Sequence, residues 1–284
     1  MYCARFTMYE CEGKCERLSI HYEVIGDGYP VVMLHGWTLD HHVLMHAMEP
    51  VFEKRSGWQR IYIDLPGMGR SKPQPSIQNS DDMLDAVLHC LQNMIPDEPF
   101  IVCGNSYGGY IAQGIVRYRQ PWVRGMMLLA PMIIPEFDDR AVPQQTILKR
   151  DDALVARLAP DDAEEFTSIA VLQGQREWER FQNEILRPSK QSHEEFLHRI
   201  RQNGYGFSFD LSSVTLRYPT LIITGRQDHV VGYQDAARLL TNYPRATFAV
   251  LDRAGHNLQI EQPDIFATLV QDWLTRLEAE IRPD

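Results

Sequence analysis

A glycine-rich segment at 104–109, GNSYGG, places a serine where it could act as a nucleophile. Ser106 has one glycine two residues before it and another two residues after it, which is the spacing G-x-S-x-G. The β-rich run FIVC precedes the segment and a helical pattern follows it, so the serine would lie in a sharp strand-to-helix turn. Such a turn strains the backbone and directs the positive end of the helix toward a developing oxyanion. The pattern therefore predicts a nucleophilic serine.

A serine hydroxyl is a weak nucleophile, so it needs a nearby base that a third group holds in place. His256 follows the β-rich run at 247–251 through a short loop, which brings it to the carboxyl edge of the predicted sheet, where Ser106 is also expected. His35 also ends a strand, but its dipeptide with Gly36 better suits a loop that supplies backbone donors. Surface positions are predicted for the histidines on helices, which are His41, His42, His46, His193 and His198.

The acid that orients the base should follow the carboxyl end of another strand. Asp228 does so, after a strand run that reads LIIT. Asp64 also ends a strand, but it opens the turn-rich segment at 65–71, where a carboxylate can brace a loop. We therefore predict Asp228 as the acid. The order along the chain becomes Ser106, Asp228, His256, as expected when a nucleophile elbow joins a parallel strand to a helix.

Short apolar runs recur along the chain and alternate with segments of helical period. Each run is continuous and β-leaning, as expected for strands that are buried on both faces of a parallel sheet. The clearest helix is predicted from Ser80 to Ile95, with Asn79 or Ser80 as its N-cap. Residues 16–24 alternate with a period of about two before the turn-forming segment Gly26-Asp27-Gly28, which predicts an antiparallel hairpin at one edge of the sheet. The predicted fold class is α/β with a doubly wound, mostly parallel sheet, whose strand runs lie at 30–34, 60–64, 100–103, 125–130, 220–224 and 247–251.

The alternation stops between residues 131 and 213, where the chain becomes charge-rich and its apolar residues keep a helical spacing. No strand run is recognisable there. We predict that this segment is a helical cap, or lid, inserted into the core. The predicted domains are accordingly a core formed by residues 1–130 and 214–284, and a cap formed by residues 131–213.

Composition and charge exclude several classes of protein. The formal net charge of −10 argues against binding to a nucleic-acid backbone, because that requires clustered cations. The chain has no run of about 18 apolar residues and no apolar signal-peptide core near its start, so neither a membrane span nor secretion is expected. Five cysteines, at positions 3, 11, 15, 90 and 103, are an odd number and predict reduced thiols in a cytoplasmic protein.

Five motifs in this order resemble those of the α/β-hydrolase family, in its serine-nucleophile branch with a helical lid. The resemblance extends over residues 16–278, whereas the first 15 residues match nothing specific. The motifs are similar to the oxyanion loop (HGW at 35–37), the D-x-P-G-x-G-x-S segment (DLPGMGRS at 64–71), the nucleophile elbow (GNSYGG at 104–109), the acid loop (GRQD at 225–228) and the base loop (AGH at 254–256) of that family.

The resemblance implies roles for further residues. The backbone N–H groups of Trp37 and Tyr107 would form the oxyanion hole, and residues 131–213 would be the lid. No metal or organic cofactor is implied, and the expected partner is a small-molecule substrate rather than a nucleic acid or a membrane. A monomer and a homodimer both remain open. The residues predicted to line the substrate pocket are His35, Trp37, Tyr107, Trp178 and Phe181.

Several activities are compatible with these motifs. Dehalogenases and epoxide hydrolases of this family carry an Asp nucleophile, so Ser106 excludes both. Carbon–carbon bond hydrolases share the Gly-Asn-Ser elbow but usually place Trp directly after the catalytic histidine, where this chain has Asn257. Prolyl iminopeptidases typically read DQRG where residues 64–67 read DLPG. The expected function is a carboxylesterase with an acyl-enzyme intermediate. The alternatives are a carbon–carbon bond hydrolase, a prolyl iminopeptidase-like enzyme, a non-hydrolytic enzyme of the same fold, and a non-catalytic ligand-binding protein.

Overall fold

The computed structural model describes the backbone of residues 5–11 and 18–281 and the side chains of residues 19–281. Its main sheet contains β1 (Arg5–Cys11), β2 (Leu18–Ile25), β3 (Tyr29–Leu34), β4 (Trp58–Ile63), β5 (Phe100–Asn105), β6 (Val123–Leu129), β9 (Thr220–Gly225) and β10 (Ala246–Leu251). The strand order is β1-β2-β4-β3-β5-β6-β9-β10. Along this order, each neighbouring pair from β4 through β3 to β10 is parallel. Within the described residues, only the β1–β2 and β2–β4 pairs are antiparallel.

Helices flank this sheet and bury its central strands. Every residue of β5 and of β9 is buried, which explains why both sequences are continuous apolar runs. Helices α1 (His42–Phe52) and α11 (Pro263–Ile281) contact each other, as do α2 (Ser80–Met94) and α3 (Tyr107–Arg119). The predicted α/β fold with a mostly parallel sheet is therefore confirmed.

Helix α2 begins where the sequence predicts. The side chain of Asn79 accepts a hydrogen bond from the backbone N–H of Asp82 at 2.9 Å, which makes Asn79 the N-cap. Asp81 and Asp82 lie in the first turn, where their negative charges interact favourably with the positive end of the helix dipole. The helix ends at Met94, one residue before the predicted end.

The antiparallel edge of the sheet differs in detail from the prediction. Strand β2 pairs with β1 and with β4, so the strand that follows the Gly26–Gly28 turn, β3, is not its neighbour. Residues 12–17, which connect β1 to β2, lie outside the described residues, as do Cys3, Cys15 and the side chain of Cys11. The thiols of Cys90 and Cys103 are both buried.

The 131–213 segment connects β6 to β9 and is mostly helical. It also contains two strands that the sequence analysis did not predict, β7 (Lys149–Arg150) and β8 (Leu172–Gln173), which pair in parallel. Two residues are too few to produce a recognisable alternation, so the sequence carries no strand signal here. Its α-helices are α4 (Asp152–Val155), α5 (Pro160–Ile169), α6 (Gln175–Phe181), α7 (Arg187–Gln191) and α8 (Glu194–Gly204).

Three aromatic side chains form the centre of the 131–213 segment. Phe166 is fully buried, and its ring centroid lies 5.3 Å from that of Trp178 and 5.2 Å from that of Phe181. Trp178 and Phe181 thus have packing partners of their own inside the segment. Their predicted contact with a substrate stays a prediction.

Two short helices lie among the loops that follow the last strands, α9 (Gln234–Ala237) and α10 (Leu258–Glu261). Among the described residues, no helix is both long enough and apolar enough to cross a lipid bilayer.

Candidate active site

The turn between β5 and α3 holds Ser106 in a strained conformation. Its φ angle is +52°, in the left-handed region that residues with a Cβ rarely adopt. A Cβ at Gly108 would lie 2.2 Å from the carbonyl oxygen of Leu34, so only glycine lets α3 pack this closely against β3. The glycine spacing in the sequence therefore has a steric cause, and the turn projects Ser106 from the carboxyl edge of the sheet.

His256 lies between Ser106 and Asp228. Its Nε2 is 3.0 Å from the Oγ of Ser106, and its Nδ1 is 3.0 Å from Oδ2 of Asp228. Since an ionised carboxylate can only accept hydrogen bonds, Nδ1 carries the proton and Nε2 is left to accept from the serine hydroxyl. The structure thus brings together three residues that are separated by up to 150 positions in the chain.

The carboxylate of Asp228 is fully buried and fixed by the backbone. Its Oδ1 accepts hydrogen bonds from the N–H groups of Val230 at 2.9 Å and Val231 at 3.0 Å. These two bonds occupy one oxygen and leave the other facing the imidazole. The orientation of His256 therefore depends on a carboxylate that cannot rotate freely.

The acid loop and the base loop are joined by Gln227, which the sequence analysis did not single out. Its backbone N–H donates to the carbonyl of Ala254 at 2.9 Å, and its side-chain oxygen accepts from the N–H of Ala254 at 3.1 Å. Its side-chain nitrogen donates to Asp252 at 2.9 Å. No local spacing relates residues on two different loops, so the sequence offers no signal for this contact.

The two residues predicted to form the oxyanion hole lie beside Ser106. A Cβ at Gly36 would be 3.2 Å from the Cβ of Ser106, so the loop that continues into Trp37 runs against the serine. Tyr107 is the first residue of α3, and its N–H therefore has no acceptor within the helix. The rings of Trp37 and Tyr107 are 4.8 Å apart and meet edge to face. The assignment of their N–H groups to an oxyanion hole stays a prediction.

His35, which was predicted as a pocket residue, is fully buried behind this loop. Its Nδ1 lies 2.7 Å from the carbonyl oxygen of Gly36, and its Nε2 accepts from the N–H of Leu65 at 2.9 Å. Burial lowers the pKa of His35, which favours the neutral ring that these two contacts require. The ring therefore braces the loop at 35–37 against the segment at 64–71.

An aromatic cluster brings the 131–213 segment to the site. Tyr205, at the end of α8, stacks on Tyr107 with ring centroids 5.1 Å apart, and Trp37 packs edge to face against both rings. The hydroxyl of Tyr107 lies 2.8 Å from the Oγ of Ser80. Burial raises the pKa of Tyr205 to about 12, so its phenol is neutral. Tyr107, the chain neighbour of Ser106, is thus covered by a residue of the 131–213 segment.

Within the described residues, His21, Glu23 and His41 have the side-chain types of a metal site and lie close together. Oε1 of Glu23 is 3.1 Å from Nε2 of His41 and 3.5 Å from Nη1 of Arg70. Burial alone would lower the pKa of His41, but the hydrogen bond and charge of Asp64 raise it. The raised pKa favours the protonated ring of His41, which together with Arg70 supplies positive charge to this carboxylate. A second group of the same types, Asp40, His41 and His42, shares His41.

The chain belongs to the α/β hydrolase fold family, whose model matches residues 29–263. A crystal structure of an α/β superfamily hydrolase from Oenococcus oeni is similar to it, with a TM-score of 0.84 and 30% sequence identity. That comparison covers 95% of this chain and 100% of the other. The motifs noted in the sequence therefore reflect membership of this family.

Two curated relatives show the range of activities among similar chains. A pimeloyl-[acyl-carrier protein] methyl ester esterase of Shewanella woodyi is 27% identical, over 91% of this chain and 98% of its own length. A 2-hydroxy-6-oxononadienedioate/2-hydroxy-6-oxononatrienedioate hydrolase of Pseudomonas putida is 26% identical, over 93% of each chain. Both comparisons extend over nearly the whole length of the chain.

Proposed function

We propose that this protein is a serine hydrolase that cleaves a carboxylic ester of a small or medium-sized substrate through an acyl-enzyme intermediate. The observation that carries the proposal is the hydrogen-bonded series from Ser106 through His256 to Asp228, with both distances at 3.0 Å. A serine beside a histidine that a buried carboxylate orients is the arrangement that activates a hydroxyl for nucleophilic attack.

In the first half of the reaction, His256 removes the hydroxyl proton of Ser106 as Oγ attacks the ester carbonyl. The C–O bond to the alcohol then breaks, and His256 returns the proton to the leaving alkoxide. The products of this half are the acyl-serine and a free alcohol. Asp228 keeps the imidazole in the tautomer that can accept at Nε2 and stabilises the imidazolium that forms.

In the second half, water replaces the alcohol. His256 takes a proton from the water as the water oxygen attacks the acyl carbon. The bond from the acyl carbon to Oγ then breaks, His256 returns the proton to Oγ, and the carboxylic acid leaves. In both halves the N–H groups of Trp37 and Tyr107 would stabilise the tetrahedral oxyanion, an effect of about 3–4 kcal/mol for each donor. The position of both residues beside Ser106 supports this assignment.

Ester cleavage is favoured over the other activities of the family by two observations. The relative from Shewanella woodyi is named for the hydrolysis of a methyl ester. The position after the catalytic histidine, Asn257, lacks the tryptophan that carbon–carbon bond hydrolases usually have there. In this proposal the 131–213 segment serves as the lid over the site. The buried thiols of Cys90 and Cys103 are consistent with a cytoplasmic, reducing location.

A fluorophosphonate probe and a panel of p-nitrophenyl esters from acetate to laurate test the proposal. We expect the probe to label Ser106, as shown by the mass of the labelled peptide, and at least one ester to be hydrolysed. Ser106→Ala and His256→Ala should lose both label and turnover. His46→Ala is the matched control, because its side chain is 46% exposed on α1. Absence of both label and turnover in the wild type would contradict the proposal.

Carbon–carbon bond hydrolysis is the second candidate, because the relative from Pseudomonas putida is named as a hydrolase of 2-hydroxy-6-oxononadienedioate. A 2-hydroxy-6-oxo-dienoate substrate loses its visible absorbance on cleavage, so turnover can be followed directly. Rapid turnover of this compound together with slow turnover of every ester would favour the second candidate over the first.

A further inference from the structure

Glu261 is a buried carboxylate that lies five positions after His256, at the end of α10. Only 3% of its surface is exposed. Oε2 accepts a hydrogen bond from the N–H of Gly255 at 2.6 Å. Oε1 accepts from the N–H groups of Val171 at 2.6 Å and Leu172 at 3.2 Å. The two oxygens therefore bind two different parts of the molecule, the base loop and the 131–213 segment.

A carboxylate is required for this double contact. Gln has the same length but carries one acceptor and one donor, so one end of its amide would place N–H against N–H. Burying an ionised carboxylate costs several kcal/mol. Burial accordingly raises the pKa of Glu261 to about 7, although the three hydrogen bonds from backbone N–H groups lower it. An apolar side chain of the same volume would fill the space without that cost. Glu261 is thus fitted to join two backbone segments.

The same region brings these two segments into direct contact. A Cβ at Gly255 would lie 2.9 Å from Cγ2 of Val171, so the base loop and the 131–213 segment touch. A second hydrogen bond between the 131–213 segment and the core lies nearby, where Arg180 of α6 donates to the carbonyl of Gln259 at 2.7 Å. A movement of the 131–213 segment away from the core would therefore pull on the loop that carries His256.

We propose that Glu261 is a positioning residue that fixes the base loop and the 131–213 segment in one arrangement, and so holds His256 in line with Ser106. The inference rests on the proposed function, in which His256 activates Ser106. Gly255 is the residue directly before His256, so its anchored N–H limits how far the imidazole can shift. A displacement of about 1 Å in a catalytic group can cost about 100-fold in rate.

The test compares Glu261→Gln and Glu261→Met with the wild type in fluorophosphonate labelling. The amplitude of labelling reports the folded fraction, and the maximal rate constant reports how well Ser106 is activated. We expect both variants to reach a full amplitude with a maximal rate about 10–100-fold lower. The probe concentration for half-maximal rate should change by less than about threefold, and the KM for a reactive ester should behave likewise. Glu177→Gln is the matched control, because Glu177 is a buried glutamate of α6. It should label at the wild-type rate.

Three results would overturn the inference. The first is a wild-type rate in folded Glu261→Gln and Glu261→Met. The second is a loss of amplitude alone in both variants, which would assign Glu261 to stability only. If Glu261→Gln does not fold, Glu261→Met decides whether Glu261 acts on positioning or only on stability, because methionine removes the buried charge. The third is the absence of labelling in the wild type, which would contradict the proposed function itself and the inference with it.

Discussion

Asp64 and His41 form a buried pair in which Oδ1 of the carboxylate lies 2.8 Å from Nδ1 of the ring. Oδ1 also accepts from the N–H of His41 at 2.8 Å, and Oδ2 accepts from the N–H of Arg70 at 2.9 Å. Asp64 follows β4 as Asp228 follows β9, and it is the other acid that the sequence offers for the site. In the structure it joins the start of α1 to the loop after β4, whereas Asp228 faces His256.

The first prediction concerns the choice between the two acids. Asp228→Asn should lower kcat about 10⁴-fold, because the amide favours the wrong tautomer of His256. Asp64→Asn should leave kcat per folded molecule within about threefold of wild type, because Asp64 does not contact the reacting groups. Steady-state kinetics with the best ester of the panel, normalised to the labelling amplitude, gives both numbers. A similar fall in kcat for both variants would contradict the assignment.

The second prediction concerns the stability of the Asp64 variant. Removing the charge of a buried, paired carboxylate leaves its partners unsatisfied and should lower the free energy of unfolding by about 3–5 kcal/mol. Urea unfolding followed by circular dichroism measures this difference. Asp272→Asn is a suitable control, because that carboxylate is exposed in its ion pair with Arg276 and should cost less than about 1 kcal/mol.

The third prediction concerns pH. Burial alone would raise the pKa of Asp64, but the hydrogen bond and charge of His41, with contributions from His35 and Arg70, lower it to about 2. This contribution to stability is present above about pH 4 and is lost as the pH falls toward 2. The pKa of His41 is raised, so its contribution is complete below about pH 6.5 and is lost as the pH rises further.

The stability difference between wild type and Asp64→Asn should therefore be largest between about pH 4 and pH 6.5. Urea unfolding of both proteins at a series of pH values measures it, and taking the difference removes groups that titrate equally in the two proteins. A difference that stays constant from acid to alkaline pH would show that the pair is not coupled to protonation.

The fourth prediction concerns the turn that carries Ser106. Gly108→Ala should destabilise the fold by about 3 kcal/mol or more, because the new Cβ would meet the backbone carbonyls of Leu34 and His35 at 2.2 Å and 2.4 Å. Gly114→Ala in the same helix meets only side-chain atoms, of Leu84 and Phe207, which can move. We expect Gly114→Ala to change stability by less than about 1 kcal/mol, since alanine also favours the helix. Equal effects in thermal unfolding would argue against the steric explanation.

The fifth prediction concerns the aromatic centre of the 131–213 segment. Trp178→Ala should lower the free energy of unfolding by about 3–5 kcal/mol, because it removes a buried ring that packs against Phe166. Trp178→Phe should recover most of this loss. If Trp178 also contacts the substrate, as predicted from the sequence, Trp178→Phe will raise the KM for long-chain esters. An unchanged KM along the whole ester panel would restrict Trp178 to packing.

Much of the main sheet and the order of the candidate site residues could be predicted because their signals are local. The buried strands β5 and β9 are continuous apolar runs, and the glycines around Ser106 reflect a steric requirement within a few residues. The short strands β7 and β8 escaped prediction because two residues carry no periodicity. The partner of β2 could not be predicted, because pairing is decided by how β4 is placed in the sheet.

The sequence by itself determined the α/β fold, the serine turn and the strand ends at which Asp64, Asp228 and His256 lie. It could do so because a backbone turn and a buried strand restrict residue types at adjacent positions. The sequence also predicted Asp228 as the acid, but only the tertiary structure shows its carboxylate facing His256. The tertiary structure alone placed Glu261 between the base loop and residues about 90 positions away. Such contacts follow from the packing of distant segments, and no spacing along the chain records them.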